Sequence, residues 1–284
     1  LVRTWSELEQ RSARIAAHLD AAGVGHDAKV ACYLYNGPEY LEATFAAFKV
    51  RAVPINVNYR YLEAELQYLL DNADAEAVVF DAEFVERLDH VRSSLPGVRV
   101  WLCVGSDAEH PLPEWAEDYE ASIAAAEPMP RVDRSGDDLW FLYTGGTTGM
   151  PKGVMWPHRN LLATAAATFA VVKRPVPTTP AEVAAAVRDF HEQGRAVRLL
   201  PAAPLMHGTS AITAVAVLSA GGTVTTLTRR SFDADELCRA VERDRITQLT
   251  IVGDAFAKPV VAALRRARDA GTPYDVSSLK IVVS

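Results

Sequence analysis

The chain has 284 residues, with 36 Asp plus Glu against 29 Lys plus Arg, a formal net charge of −7. Apolar residues make up 49% and charged residues 23%, ordinary globular usage, and a chain this long can bury roughly 75% of its unfolded surface without staples. The acidic balance argues against nonspecific binding to nucleic acid or anionic lipid. No apolar run approaches the ~20 residues of a membrane span, and no secretory leader is visible. Three widely spaced cysteines, Cys32, Cys103 and Cys238, have neither metal-ligand spacing nor the even count of a disulfide framework. They predict a reducing, cytoplasmic compartment, and Cys32 and Cys103, with no basic partner nearby in sequence, read as small core residues.

Thr4 with Glu7 forms a capping box. Leu8, Ile15 and Leu19 then share one helical face, and Gly23 is the stop. Val30 to Tyr35 reads as a buried strand, residues 39–49 as a helix, Ala52 to Ile55 as a short extended piece, and 62–70 as a helix. A strand at 76–80, a helix at 84–93 and a strand at 98–104 follow. Continuous apolar strands alternating with helices predict βαβ units and a parallel sheet covered on both faces. Residues 105–130 hold seven acids, four prolines and no Lys or Arg. They predict a surface connection with at most a short helix near 115–126.

The pattern resumes with a strand at Leu139 to Tyr143 and a helix at Asn160 to Val172, with Asn160 expected as its N-cap. An inserted amphipathic helix is expected at 181–192. Strands at 198–200, 223–227 and 248–252 alternate with helices at 210–219, 234–243 and 256–270. Leu279 to Val283 reads as a buried strand in mid-course, and Leu1 stands just before a helix start, so the expectation is a piece of a longer chain. The predicted fold class is α/β: two βα-layered subdomains, 1–160 and 161–284, with mostly parallel sheets flanked by helices.

One stretch stands apart: Tyr143-Thr144-Gly145-Gly146-Thr147-Thr148-Gly149-Met150-Pro151-Lys152-Gly153. It leaves a buried strand and is read as running towards a helix. Four glycines, three threonines and one of only six lysines fall within eleven positions. Glycines let the backbone take left-handed angles and approach a ligand closely. Successive N–H groups make an anion-binding concavity, to which hydroxyls and an ammonium add. A polyphosphate needs this combination. The Walker A spacing fails, because Pro151 interrupts it and Gly153 stands where a metal-binding hydroxyl should follow Lys152. The dinucleotide Gly-x-Gly-x-x-Gly fails too, since Gly145 and Gly146 are adjacent.

Continued into Trp156-Pro157-His158-Arg159-Asn160, this stretch resembles the phosphate loop (residues 140–153 here) of the adenylate-forming, AMP-binding superfamily, in its acyl-CoA synthetase branch. Gly145 departs from the usual serine, at the expected cost of one hydroxyl donor and no change of reaction. The resemblance extends over the chain. Thr4 to Leu8 is similar to the family's first helix, Ala46 to Asn56 to its early helix-to-strand step, and Pro201 to Gly208 to the start of its acyl pocket.

The resemblance implies an AMP-forming ligase that activates a fatty or other hydrophobic carboxylic acid with ATP to an acyl-adenylate and passes the acyl group to coenzyme A. Loading of a carrier-protein thiol and a noncatalytic nucleotide- or acyl-binding homologue are the alternatives. Thr144, Gly145, Gly146, Thr147, Thr148, Gly149 and Lys152 are implied to hold the β- and γ-phosphates, with Lys152 and His207 catalytic. His207, Gly208, Thr209, Gly253 and Asp254 are implied on the acyl side. A hydrogen-bonded core histidine is the competing reading of His207, and a helix cap that of Asp254; His158 is a weaker candidate. The Mg2+ ligand, the adenine and ribose contacts and a mobile C-terminal domain with a second catalytic lysine are implied beyond Ser284, leaving residues 1–284 alone inactive.

Overall fold

A computed structural model describes residues 1–145, 149–171 and 174–284, the side chains at positions 165, 167, 168, 170 and 171 excepted. The chain divides into two compact units, Leu1–His158 and Arg159–Ser284.

In the first unit the elements are α1 (Trp5–Ala21), β1 (Lys29–Tyr33), α2 (Pro38–Lys49), β2 (Val53–Asn56), α3 (Glu63–Asn72), β3 (Ala75–Asp81), α4 (Val85–Val91), β4 (Val100–Val104), β5 (Glu117–Asp118), α5 (Tyr119–Ala125), β6 (Leu139–Thr144) and β7 (Lys152–Pro157). The capping box forms at α1: the Glu7 amide donates to Thr4 Oγ1 at 3.2 Å and the Thr4 amide to Glu7 Oε2 at 2.6 Å. The strands lie in the order β5-β4-β3-β1-β2-β6-β7, and every pairing but β6 with β7 is parallel.

Tyr33, Ile55 and Phe80 pack against Leu66, Leu69 and Leu70 of α3 and Leu88 of α4 on one face. Ile15 and Leu19 of α1, Ala43 and Ala47 of α2, and Trp140 are also buried. Neighbouring positions along β1 and β3 are thus buried on both faces, which is why these strands read as unbroken apolar runs.

Three expectations change here. Residues 105–130 contribute more than a surface connection: the expected short helix forms as α5 but buries Tyr119 and Ile123, and β5 extends the sheet edge. The Tyr119 hydroxyl bonds Glu42 Oε2 at 3.1 Å, and Glu42, itself buried, also takes Arg11 Nε at 2.8 Å. The glycine-rich turn does not lead straight to a helix, because β7 intervenes and pairs antiparallel with β6. The following helix, α6 (His158–Val171), starts at His158, whose amide donates to Asp138 O at 2.8 Å; Asn160 therefore lies within the first turn and is not its N-cap.

The second unit carries most of α6, then α7 (Pro180–Glu192), β8 (Arg198–Pro201), α8 (Gly208–Ser219), β9 (Thr223–Val224), α9 (Ala234–Arg243), β10 (Gln248–Thr250), α10 (Asp254–Asp269) and β11 (Ile281–Val283). Its sheet is parallel throughout, in the order β11-β10-β8-β9. Leu200, Leu249 and Ile251 pack with Leu237 and Val241 of α9 and Ala263 of α10. The last strand, β11, forms where Leu279 to Val283 reads as one. Within these residues it pairs parallel with β10.

All three cysteines are buried and unpaired. Burial pushes the Cys32 and Cys103 thiols up to about 12, which leaves almost no nucleophilic thiolate near neutrality.

Candidate active site

β6 runs parallel to β2, so Thr144 ends it at the carboxyl edge of the sheet, the edge where ligands bind in open α/β sheets. The β6–β7 hairpin closes the turn, with register pairs Tyr143–Gly153 and Thr144–Lys152. The hydroxyl of Thr144 and the ammonium of Lys152 therefore start from opposite stems of one turn. Both residues are exposed, and Lys152 has no ion-pair partner among the described residues. Gly145 and Gly149 are also exposed, and Gly146, Thr147 and Thr148 lie outside the described residues. Gly149 has φ +120°, open to glycine and strained for any side chain. A Cβ on Gly145 would meet nothing within 4 Å, so here glycine is not sterically required.

The base of the turn is firmly held. The buried Asn56 side chain ends β2 and binds both backbone polar groups of Tyr143: the Tyr143 amide donates to Asn56 Oδ1 at 2.6 Å, and Asn56 Nδ2 donates to Tyr143 O at 2.9 Å. The Tyr143 hydroxyl donates to Asn72 Oδ1 at 2.9 Å. Across the hairpin, the Tyr143 ring occupies the space a Cβ on Gly153 would need. Sequence reading missed Asn56 and Asn72 as part of this arrangement. One signal was available: asparagine is depleted in strand interiors, and Asn56 follows directly on Val53-Pro54-Ile55.

His158 follows directly on Pro157, the last residue of β7 and the partner of Leu139, roughly 20 Å along the strand from Lys152. Its ring packs edge-on against Phe48 at 4.7 Å, and burial lowers its pKa. It belongs to the core beneath the sheet's amino edge and is separate from the turn.

In the second unit, the segments after β8 and β10 leave the same carboxyl edge, tied by the Ala202 amide donating to Thr250 O at 2.8 Å. His207 is the N-cap residue of α8, with an exposed side chain that makes no capping bond. Gly208 and Thr209 form the first turn of this 12-residue helix, where free amides and the helix dipole favour negative charge. Gly253, at φ +61°, is the N-cap of α10 and donates its amide to Ser284 Oγ at 3.2 Å. Asp254 is therefore the first helical residue, not the cap. Its 75% exposed side chain pairs with Lys258 at 2.8 Å.

A family model described as "AMP-binding enzyme" matches residues 2–284. The chain belongs to the AMP-binding enzyme family. Among curated members of that family, it is 35% identical over 297 residues to the medium-chain acyl-CoA ligase Mig of Mycobacterium avium, covering 99% of this chain and 52% of that protein. It is also 35% identical over 285 residues to the 3-oxocholest-4-en-26-oate–CoA ligase of Rhodococcus rhodochrous, covering 99% and 50%. The chain thus spans about half the length of these relatives. Solved structures of the same fold include a Mycobacterium tuberculosis fatty acyl CoA synthetase (TM-score 0.72, 21% identity, 99% of this chain and 49% of that one). The anthranilate CoA ligase AuaEII in complex with anthranoyl-AMP is another (TM-score 0.75, 16% identity, 98% and 49%).

Proposed function

We propose that this chain carries the polyphosphate-binding part of an AMP-forming acyl-CoA ligase that acts on a fatty or other hydrophobic carboxylic acid. The observation that carries the reading is the hairpin that sets Thr144 against Lys152 around a glycine-rich turn at the carboxyl edge of a parallel sheet. The relatives' names support the acid class: one is a medium-chain acyl-CoA ligase, another acts on a steroid side-chain acid.

In the first step a carboxylate oxygen attacks the α-phosphorus of ATP, the bond to the bridging oxygen breaks, and pyrophosphate leaves. In the second, the thiol of coenzyme A attacks the acyl carbon and AMP departs with the bonding electrons. The carboxylate is a weak nucleophile and ATP is densely anionic, so alignment and charge neutralisation supply most of the catalysis. Thr144, Gly145, Gly146, Thr147, Thr148 and Gly149 cradle the β- and γ-phosphates with amides and hydroxyls. Lys152 neutralises charge as it develops on the departing pyrophosphate. His207 stands by the reacting carboxylate and α-phosphate, with Gly208 and Thr209 offering helix N-terminal amides. Gly253 and Asp254 help to wall the acyl site, the charge of Asp254 being taken up by Lys258. ATP would bring Mg2+, whose ligand is expected outside residues 1–284. A cytoplasmic setting suits the three buried, unpaired cysteines.

The test is pyrophosphate release by the full-length protein across a panel of carboxylic acids, with free coenzyme A then added. Release with hydrophobic acids followed by consumption of free coenzyme A supports the reading. Adenylation without use of free coenzyme A redirects it to a carrier-protein thiol, and no release with any acid removes it.

A further inference from the structure

We propose that Asn56 is a positioning residue for the polyphosphate turn, acting through the backbone of Tyr143; the inference rests on the function proposed above. β2 and β6 share a single register pair, Ile55 with Phe141. The β1–β2 ladder continues past it, the Val57 amide donating to Cys32 O at 3.2 Å, while no further register pair joins β2 to β6. On that side the peptide groups of Tyr143 have lost their strand neighbour just where the turn begins. The Asn56 carboxamide substitutes for a peptide group: its carbonyl accepts from the Tyr143 N–H at 2.6 Å, and its NH2 donates to the Tyr143 C=O at 2.9 Å. The orientation of the amide follows from chemistry, since a backbone N–H only donates and a backbone carbonyl only accepts.

A strand end can be held in simpler ways. Here the clamp is buried, two-point and one residue before Thr144, and the same tyrosine is anchored a third time by Asn72 and pressed against Gly153 across the hairpin. Both stems of the turn are thereby referenced to one side chain. An anion cradle made from backbone amides depends on such support, because displacement of a catalytic group by about 1 Å can cost about a hundredfold in rate.

The experiment uses the full-length protein and ATP–pyrophosphate exchange with a responsive hydrophobic acid, scored as separate KM values for ATP and acid, as kcat, and across pH 5.5 to 8. Asn56→Asp is close to isosteric, but near neutrality it turns a carboxylate oxygen towards the Tyr143 carbonyl. The expected result at neutral pH is a KM for ATP raised about tenfold or more, with a lower kcat and a KM for the acid within about twofold of wild type. Acidification should restore activity, because a protonated carboxyl presents one O–H donor and one C=O acceptor, as the amide does. Asn56→Leu should show the loss without the recovery.

Wild-type KM for ATP and kcat in a folded Asn56→Asp would overturn the inference. So would a loss that is equal for both substrates, independent of pH and proportional to the fall in melting temperature. If Asn56→Asp does not fold, Asn56→Ala decides: it removes both bonds to the Tyr143 backbone and introduces no charge. A rise in the KM for ATP larger than that for the acid supports the inference, and none refutes it. A wild-type protein that exchanges pyrophosphate with no acid removes the functional reading, and this inference with it.

Discussion

Gly153 faces Tyr143 across the β6–β7 hairpin so closely that a Cβ on it would come within 2.9 Å of the tyrosine Cε2 and 3.0 Å of its Cζ. The ring cannot swing aside without breaking the hydroxyl's bond to Asn72. Gly153→Ala should therefore destabilise the protein by roughly 1–3 kcal/mol, the usual cost of overpacking. Thermal denaturation checks this. The same substitution in a Tyr143→Ala background should cost much less, a non-additivity expected only if the two residues compete for one space.

Lys152 is exposed and bears no structural ion pair among the described residues. Lys152→Ala should leave the melting temperature almost unchanged and slow adenylate formation by one to a few orders of magnitude, a charged contact to developing negative charge being worth roughly 3 kcal/mol. Pyrophosphate release measures the rate. An unchanged rate removes Lys152 from the chemistry.

Gly145 has room for a side chain, while Gly149, at φ +120°, does not have the backbone for one. Gly145→Ser should be neutral to stability within about 0.5 kcal/mol, keep the same products, and add a hydroxyl where the family usually has one. Gly149→Ala should destabilise the turn through backbone strain, by roughly 1–3 kcal/mol. The two variants compared by melting temperature and by KM for ATP separate the roles of two neighbouring glycines.

Acid should weaken the first unit in two stages. Burial lowers the His158 pKa below its ordinary 6.5, so the unfolded chain takes up a proton first. Stability is then whole above pH 6.5 and declines as pH falls below it. Asp138 behaves as a paired carboxylate: the Arg51 guanidinium, bonded at 2.8 and 3.1 Å, holds its pKa below 3.8. That contribution is present above pH 3.8 and is lost as pH falls through the folded value. Melting temperature against pH should flatten just below pH 6.5 in His158→Phe. The deficit of Asp138→Asn relative to wild type should shrink below about pH 4.

How much of this was legible in the sequence depended on where the information sits. The Thr4 capping box, the α9 boundaries and the unbroken apolar strands are written in local residue patterns, and they appear as read. The strand β7 was not legible, because Lys152-Gly153-Val154-Met155 is exposed on the sheet edge and lacks both alternation and a buried run. Asn160 and Asp254 read as caps from residue type and from their place just ahead of a helical run. The chain instead begins those helices earlier, with the His158 amide held by Asp138 O and with Gly253 in a left-handed conformation that its sequence neighbours do not specify. The glycine-rich turn announced itself by composition. Its support did not, because Asn56 lies 87 residues from Tyr143 in sequence and meets it only through the order β2 beside β6.

The account stands or falls on where the triphosphate lies, and a crystal structure of the full-length protein soaked with a nonhydrolysable ATP analogue and Mg2+ observes that directly. The β- and γ-phosphates should fall within the β6–β7 turn, within hydrogen-bonding reach of the Thr144 hydroxyl, the Gly145 and Gly149 amides and the Lys152 ammonium. Phosphates bound at any other place, with that turn left empty, would contradict it.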